Sequence, residues 1–144
     1  MKILLPVDGS EAALAAVRHA LAMVANGLRA EFVLANVQAP ASLYEVVVAH
    51  DAAVIEQVSA AAAEHALAPA RALLEAARCA FETEVGHGEP AHELVDIAER
   101  NGCDAVVLGA HGMAAGSGGS PGSVATWVLH HASVPVTIVR TAVD

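Results

Sequence analysis

The sequence predicts an α/β protein in which a single open parallel sheet carries helices on both faces. Strand-like and helix-like segments alternate along the chain, and the last segment is a strand. Most of the strand-like segments are short apolar runs, as expected for strands that are buried on both faces. The chain has 144 residues, of which 56% are hydrophobic and only 3% aromatic. This length predicts one domain, residues 1–144, with a core of Val, Leu, Ile and Ala.

The first strand, turn and helix follow one another closely. Residues 3–7 form the apolar run of the first strand, and Asp8-Gly9-Ser10 makes the turn that follows. Ser10 is placed to cap a helix that continues to Asn26-Gly27, where glycine can adopt the left-handed conformation that ends helices. Residues 30–37 are predicted to be the second strand.

The middle of the chain is the least regular part of the pattern. Residues 38–51 fit a short helix, a strand or a flap, and we interpret them as a mobile loop with some helix. Residues 52–80 are rich in alanine and helical in period, but Pro69 predicts a kink or break between about residues 66 and 69. The side chains expected to face the core are Val54, Ile55, Val58, Leu67, Leu73, Leu74 and Ala77.

The C-terminal half supplies three further strands and two helices. Residues 81–85 alternate apolar and polar side chains, which is typical of a half-exposed strand at a sheet edge. Pro90 is a favourable first residue for a helix that ends near Asn101-Gly102. The remaining predicted elements are a strand at 104–108, a helix at 123–132 and a strand at 134–140.

A glycine-rich loop joins the fourth strand to the last helix. It runs from Gly109 to Gly122, and the helical pattern begins directly after it. Ligands of open α/β sheets bind at this kind of junction. Glycines allow the backbone to approach a ligand closely, and the unpaired N–H groups of a first helical turn attract anions. Phosphate is therefore the expected group at this loop.

Two motifs at opposite ends of the chain resemble those of the universal stress protein family. Gly109, Gly112, Gly122 and Ser123 have the spacing G-x2-G-x9-G-S, and Ile3-Leu4-Leu5-Pro6-Val7-Asp8-Gly9-Ser10 resembles the family's first strand and turn. The similarity extends to residues 134–140, which resemble its last strand. It implies a Rossmann-like sheet, of the adenine nucleotide alpha hydrolase-like type, with strand order 3-2-1-4-5. In that order the first and fourth strands are neighbours, and a crevice opens between them.

The resemblance also implies an adenine nucleotide, ATP, ADP or AMP, in this crevice. Asp8 could accept hydrogen bonds from an adenine amine or from ribose hydroxyls, and Ser123 could cap the last helix and present its hydroxyl to phosphate. The same two residues could also be ordinary helix caps, and the glycines ordinary loop residues. The residues expected to line the site are Pro6, Val7, Asp8 and Val37 near the base and ribose, and Gly109, Gly112, Gly122, Ser123 and Val124 near the ribose and phosphates.

The loop departs from the family pattern at one place. Many family members carry a basic residue directly after the second glycine, whereas residues 113–121 contain neither Lys nor Arg. A nucleotide would then be held by backbone N–H groups, hydroxyls, His111 and, where present, Mg²⁺. Weaker binding of triphosphate, or a preference for AMP or ADP, is the hypothesis that follows.

Charge and composition argue against several other functions. The chain has 16 acidic and 7 basic residues, a net charge of −9, and the basic residues are scattered, so we expect neither nucleic acid nor membrane as a partner. There is no P-loop motif or recognisable Ser/His/Asp triad, and the eight histidines lack the spacing of metal ligands. We therefore assign no catalytic or metal-binding residue.

Cys79 and Cys103 are expected to be reduced thiols, and no signal peptide or membrane-spanning stretch is evident, so we expect a cytoplasmic protein.

One main hypothesis and two alternatives follow. The main hypothesis is a dimeric stress-response regulator that binds an adenine nucleotide, with at most slow ATP hydrolysis or autophosphorylation. The resemblance implies a homodimer in which the last strand, from Val134 to Arg140, pairs with its mate across a twofold axis. The first alternative is a nucleotide-free dimeric interaction module of the same fold, regulated by phosphorylation or by a partner. The second, a flavin or adenylate enzyme, would need a catalytic constellation that the sequence does not show.

Overall fold

The computed structural model of the chain describes residues 1–39, 51–112 and 121–141. The interpretation of residues 38–51 as a loop with some helix falls almost entirely outside these ranges. Strands and helices alternate as expected. In chain order the elements are β1 (Lys2–Pro6), α1 (Glu11–Ala25), β2 (Glu31–Gln38), α2 (Ala52–Ala76), β3 (Phe81–His87), α3 (Pro90–Arg100), β4 (Ala105–Gly109), α4 (Ser123–His131) and β5 (Val136–Val139).

The five strands form one parallel sheet in the order β3-β2-β1-β4-β5, which confirms the predicted order. β1 lies at the centre, where Ile3 is the register partner of Phe32 in β2 and of Ala105 in β4. Successive strands are added on one side of β1 up to β3 and on its other side from β4 onwards. The turns after β1 and β4 therefore diverge at the carboxyl edge of the sheet, which is the position where such folds form ligand crevices.

Two apolar layers pack the helices against the two faces of the sheet. The layer on the α1 and α2 side includes Leu74, and the layer on the α3 and α4 side includes Ile97. Successive residues of β1 serve opposite layers, with Ile3 and Leu5 in the first and Leu4 in the second. All five side chains are at most 1% exposed. The continuous apolar runs of the sequence therefore correspond to strands covered on both faces.

The predicted start and end of α1 are confirmed. Ser10 precedes the helix, and its Oγ accepts a hydrogen bond from the N–H of Ala13 at 3.2 Å. At the other end Asn26 caps the helix, and Gly27 follows with a φ of 111°. That left-handed conformation favours glycine, because a Cβ would be strained there.

The break that was one of the two outcomes expected near Pro69 does not form, and several side chains of α2 expected to face the core do not. The helix continues without a break through Pro69 and ends at Ala76. Proline removes the bond that would reach the carbonyl of His65, but both residues are exposed, so water can satisfy that carbonyl. Val54 and Val58 do not face the core but are 43% and 65% exposed. Burial in α2 is concentrated nearer its C-terminal end, at Ala63, Ala66, Leu67, Ala70 and Leu74; Ile55 and Leu73 are half-buried and Ala77 is exposed.

Strand β3 lies at an edge of the sheet, as predicted, but its alternation is not the expected one. Val85 is 39% exposed, while Glu84 is partly buried. The Glu84 carboxylate accepts hydrogen bonds from Nε of Arg100 at 2.7 Å and from Nδ2 of Asn101 at 2.6 Å. The sequence pattern predicted that Glu84 faces solvent, but Arg100 and Asn101 at the end of α3 hold its carboxylate.

The remaining elements match their predicted positions to within one or two residues at each end. Pro90 is the first residue of α3, and Gly102 follows its end with a φ of 63°. Strand β5 covers only the middle of the predicted segment 134–140. In the described part of the chain, no helix has the length and apolar character needed to cross a bilayer.

Candidate functional site

A crevice of about 830 Å³ opens at the carboxyl edge of the sheet, beside the ends of β1 and β4. Small-molecule sites commonly have volumes of roughly 300–1,000 Å³. Turns from separate parts of the chain meet there because the strands that precede them are neighbours. All ten residues predicted from the sequence line this crevice: Pro6, Val7, Asp8, Val37, Gly109, His111, Gly112, Gly122, Ser123 and Val124. That each of them contacts a ligand stays a prediction.

Asp8 and Gly112 bring the turn after β1 against the loop after β4. Oδ1 of Asp8 accepts a hydrogen bond from the N–H of Ser10 at 2.9 Å, which orients the carboxylate. Oδ2 lies 2.7 Å from the position that a Cβ on Gly112 would occupy. A side chain at position 112 would therefore displace the carboxylate from the mouth of the crevice.

A polar chain within β2 fixes the backbone just before Asp8. The side chain of Asn36 is 3% exposed, and its Nδ2 donates to the carbonyl of Val7 at 2.8 Å. Its Oδ1 accepts from Nε2 of Gln38 at 2.6 Å. The N–H of Val7 donates to the carbonyl of Ala35 at 2.8 Å, which continues the β1–β2 ladder beyond Pro6. Our sequence reasoning missed Asn36, although a lone polar residue within an apolar strand was a usable signal.

Gly109 serves the packing of the fold. A Cβ at this position would lie 2.6 Å from the carbonyl oxygen of Ala12 and 2.7 Å from its carbonyl carbon. Both are backbone atoms of the first turn of α1, so they cannot move aside as a flexible side chain could. The absent side chain of Gly109 therefore allows α1 to pack closely on the end of β4, a role that our prediction of a ligand contact did not include.

The start of α4 differs from the prediction at Ser123. Gly122, not Ser123, is the N-cap residue, and no side chain caps the helix. Ser123 is the first helical residue, and it is exposed in the crevice. The N–H of Gly122 donates to the carbonyl of Ala110 at 2.6 Å, which folds the two ends of the glycine-rich loop together. Because no side chain occupies the cap position, the first N–H groups of α4 are available to an anion.

His111 carries an unsatisfied polar atom. Its Nε2 is buried and has no hydrogen-bond partner among the described residues. The other ring nitrogen, Nδ1, lies 3.6 Å from the position of a Cβ on Gly122, so the imidazole packs beside the N-cap of α4. A buried polar group without a partner is costly and is rare in proteins. The ring that carries this nitrogen is part of the crevice lining.

Helix α3 closes the crevice on a side that the sequence reasoning did not consider. Pro90 and Leu94, from its first two turns, line the crevice together with Leu108 of β4 and Ala39 after β2. The signal was present, because the turn after β3 must reach the same carboxyl edge as the others. The lining is thus apolar over much of its area, which suits the face of a planar ring.

The electrostatics of the crevice are simple. Asp8 and His111 are the only titratable side chains among the described lining residues. The described residues contain no cluster of His, Cys, Asp and Glu able to hold a metal ion. The arrangement can accept hydrogen bonds at Asp8, donate them at the start of α4 and at His111, and cover an apolar ring between these two ends.

Comparisons with known proteins agree with this description. The family model of the Universal stress protein family matches residues 1–140. Universal stress protein MJ0531 from Methanocaldococcus jannaschii is 29% identical over 139 residues, which cover 96% of this chain and 81% of that protein.

Solved structures resemble the chain over nearly its whole length. The hypothetical protein MJ0577 matches with a TM-score of 0.83 and 26% identity, covering 99% of this chain and 97% of that one. Universal stress protein UspA from Lactobacillus plantarum matches with a TM-score of 0.81 and 27% identity, covering 97% of each chain. A universal stress protein in complex with cAMP matches with a TM-score of 0.72 and 26% identity, covering 99% of this chain and 98% of that one.

Proposed function

This chain belongs to the universal stress protein family, and we propose that it is a dimeric stress-response regulator whose carboxyl-edge crevice binds an adenine nucleotide. The observation that carries the proposal is the convergence of the ten predicted residues on one crevice, His111 among them. The similar protein in complex with cAMP supports adenine as the base.

The two ends of the crevice suit the two ends of a nucleotide. Asp8 and Val37 lie at the ends of β1 and β2, where the carboxylate can accept hydrogen bonds from ribose hydroxyls or an adenine amine and the valine can contact the base. Gly122 and Ser123 begin α4, where backbone N–H groups and a hydroxyl can meet phosphate. The nucleotide would therefore cross the crevice from β2 towards α4.

The direct test uses the protein purified without added nucleotide. Denaturation followed by mass spectrometry is expected to release adenine nucleotide, and calorimetric titration of the emptied protein with AMP is expected to show saturable binding. Trp127, the single tryptophan, lies on α4 one turn beyond Ser123 and provides a fluorescence signal for the same titration.

A matched pair of variants locates the binding. Asp8→Ala is expected to weaken AMP binding about tenfold or more, because it removes an ionised acceptor. Asp96→Ala removes an exposed carboxylate from α3, outside the crevice lining, and is expected to leave AMP binding unchanged. If no adenine nucleotide binds at millimolar concentration, the proposal fails and the nucleotide-free interaction module becomes the better account.

We place the dimer interface on β5. This strand lies at the edge of the sheet, and the carbonyls of Pro135 and Val139 accept hydrogen bonds from the β4 side. By the two-residue period of a strand, the backbone of Ile138 then points outward, towards a partner strand. Ile138→Pro removes that outward N–H and is expected to convert a dimer to a monomer in sedimentation velocity, with circular dichroism as the check of folding. A wild-type monomer would contradict this part of the proposal.

A regulator has to hold a nucleotide and need not hydrolyse it quickly. The crevice has one carboxylate and one imidazole among its described lining residues, and we expect ATP turnover to be slow at most. The proposal places the protein in the cytoplasm, where free thiols such as Cys79 and Cys103 stay reduced.

A further inference from the structure

The positive charges of this chain are kept away from the crevice. None of its seven Lys and Arg residues is among the described lining residues. Lys2, Arg29 and Arg78 lie at or just before the amino ends of β1, β2 and β3, at the opposite edge of the sheet. Three others pair with carboxylates away from the crevice. Only Arg140 follows a strand at the carboxyl edge, where it is exposed and outside the lining.

The three segments outside the described ranges do not change this count. Residues 40–50, 113–120 and 142–144 contain neither Lys nor Arg. Whatever their placement, they add no permanent cation to the crevice. The net charge of −9 adds a general repulsion that grows with the number of negative charges on a ligand.

His111 is therefore the one lining residue, among those described, that can become a cation. Its ring lines the crevice, and its Nδ1 lies beside the N-cap of α4, where a phosphate is expected. As an N–H donor, and more strongly as an imidazolium, it can satisfy one phosphate oxygen. A second and third phosphoryl group would enter the crevice without a matching cation, which costs free energy.

We propose, resting on the proposed nucleotide function, that the crevice selects adenine nucleotides with a single phosphate over di- and triphosphates, and that His111 is the specificity-determining contact for that phosphate. The selectivity has two parts. The imidazole gives a monophosphate an advantage over adenosine, and the lack of Lys and Arg gives it an advantage over ADP and ATP.

The first experiment compares adenosine, AMP, ADP and ATP by calorimetry in buffer free of divalent metal. The expected order of affinity is AMP first, with ADP, ATP and adenosine each weaker by about tenfold, the effect of one charge-assisted hydrogen bond or one uncompensated charge. ATP binding as tightly as AMP, or more tightly, would overturn the selectivity while leaving the nucleotide function intact. Failure of all four to bind would overturn the nucleotide function itself.

Paired variants test the residue and the charge separately. His111→Gln is expected to bring AMP down to the affinity of adenosine, whereas His130→Gln, an exposed histidine on α4, is expected to change neither. Ser123→Lys places a cation in the crevice and is expected to raise the affinity for ATP relative to AMP. Thr126→Lys adds the same charge one turn further along α4, outside the lining, and is expected to leave the ratio unchanged. An unchanged AMP affinity in His111→Gln would overturn the role of His111.

Discussion

The amino and carboxyl edges of the sheet differ in how completely their polar groups are hydrogen-bonded. At the amino edge, the backbone N–H of Lys2 donates to the Asp104 carboxylate at 2.8 Å, and Nζ of Lys2 donates to the carbonyl of Asn101 at 3.2 Å. The N–H of Asp104 in turn donates a hydrogen bond to the carbonyl of Lys2 at 2.7 Å. At the carboxyl edge, the crevice is open, and Nε2 of the lining residue His111 has no hydrogen-bond partner among the described residues.

The difference separates stability from recognition within one fold. Backbone turns and the ion pair of Lys2 with Glu31 close the amino edge, where a smaller hollow of about 210 Å³ lies beside Cys103. The turns of the carboxyl edge carry Asp8 and His111, the titratable side chains among the described lining residues of the crevice. Substitutions at the two edges should therefore have separable effects on stability and on nucleotide binding. The same holds for Gly109, which packs against α1, and Gly112, which lies against Asp8.

Gly109→Ala should have the largest effect, on the free energy of unfolding. The new Cβ would meet the Ala12 backbone at 2.6 Å, and such overpacking costs about 3 kcal/mol. Gly27→Ala, where nothing lies within 4 Å but φ is positive, should cost about 1 kcal/mol. Urea unfolding of both variants measures the contrast, and a Gly109→Ala protein as stable as the wild type would show that β4 and α1 can separate without cost.

Asn36→Ala should have the next largest effect and should act on both stability and binding. It leaves the carbonyl of Val7 without its side-chain donor, which costs about 2 kcal/mol. Because Val7 directly precedes Asp8, AMP affinity should fall as well. Urea unfolding and calorimetry on the same preparation measure the two effects, and an unchanged AMP affinity would mean that the polar chain serves stability alone.

Gly112→Ala should weaken nucleotide binding more than stability, the opposite of the effect expected for Gly109→Ala. Its Cβ would meet the Asp8 carboxylate at 2.7 Å, and a side chain can swing aside, so the loss of stability should stay below about 1 kcal/mol. The displaced carboxylate should weaken AMP binding about tenfold. Equal losses of stability in Gly109→Ala and Gly112→Ala would contradict the distinction between a packing glycine and a binding glycine.

The smallest expected effect concerns Cys103 at the amino edge. This thiol is 6% exposed, and burial raises its pKa, so it should react with iodoacetamide more slowly than the half-buried Cys79. Its contribution to stability is complete below the pKa of the unfolded thiol, near ~8.5, and is lost as the pH rises through the raised folded value. Peptide mass mapping of labelled protein gives the two rates, and faster labelling of Cys103 would show that this edge opens.

The sequence was informative about the parts of the molecule that repeat a simple pattern. Strand order, the cap at Ser10 and the glycine stop at Gly27 follow from local chemistry and from the family resemblance. The errors lie where tertiary contacts decide. Val54 and Val58 have a helical spacing but are exposed, and Glu84 is held by Arg100 and Asn101 from a later helix. The break expected near Pro69 does not form, because the backbone carbonyl that loses its bond belongs to an exposed residue.

The residues of the candidate site also divide into those that could be predicted from the sequence and those that required the structure. The ten residues that line the crevice could be predicted because the family resemblance that implies them rests on glycine spacing and strand ends, which are visible in the sequence. Asn36 and Leu94 could not be placed in the same way, since their positions depend on which strands and helices become neighbours. The packing role of Gly109 and the position of Ser123 after the N-cap also required atomic distances.

The most direct test of the account is a titration of ¹⁵N-labelled protein with AMP, followed by the amide signals of both sheet edges. The account predicts saturable shifts at Asp8, at Gly112 and at the first residues of α4, with the signals of Lys2 and Asp104 unchanged. Shifts centred on the amino edge, or no shifts at millimolar AMP, would contradict the assignment of the carboxyl-edge crevice as the nucleotide site.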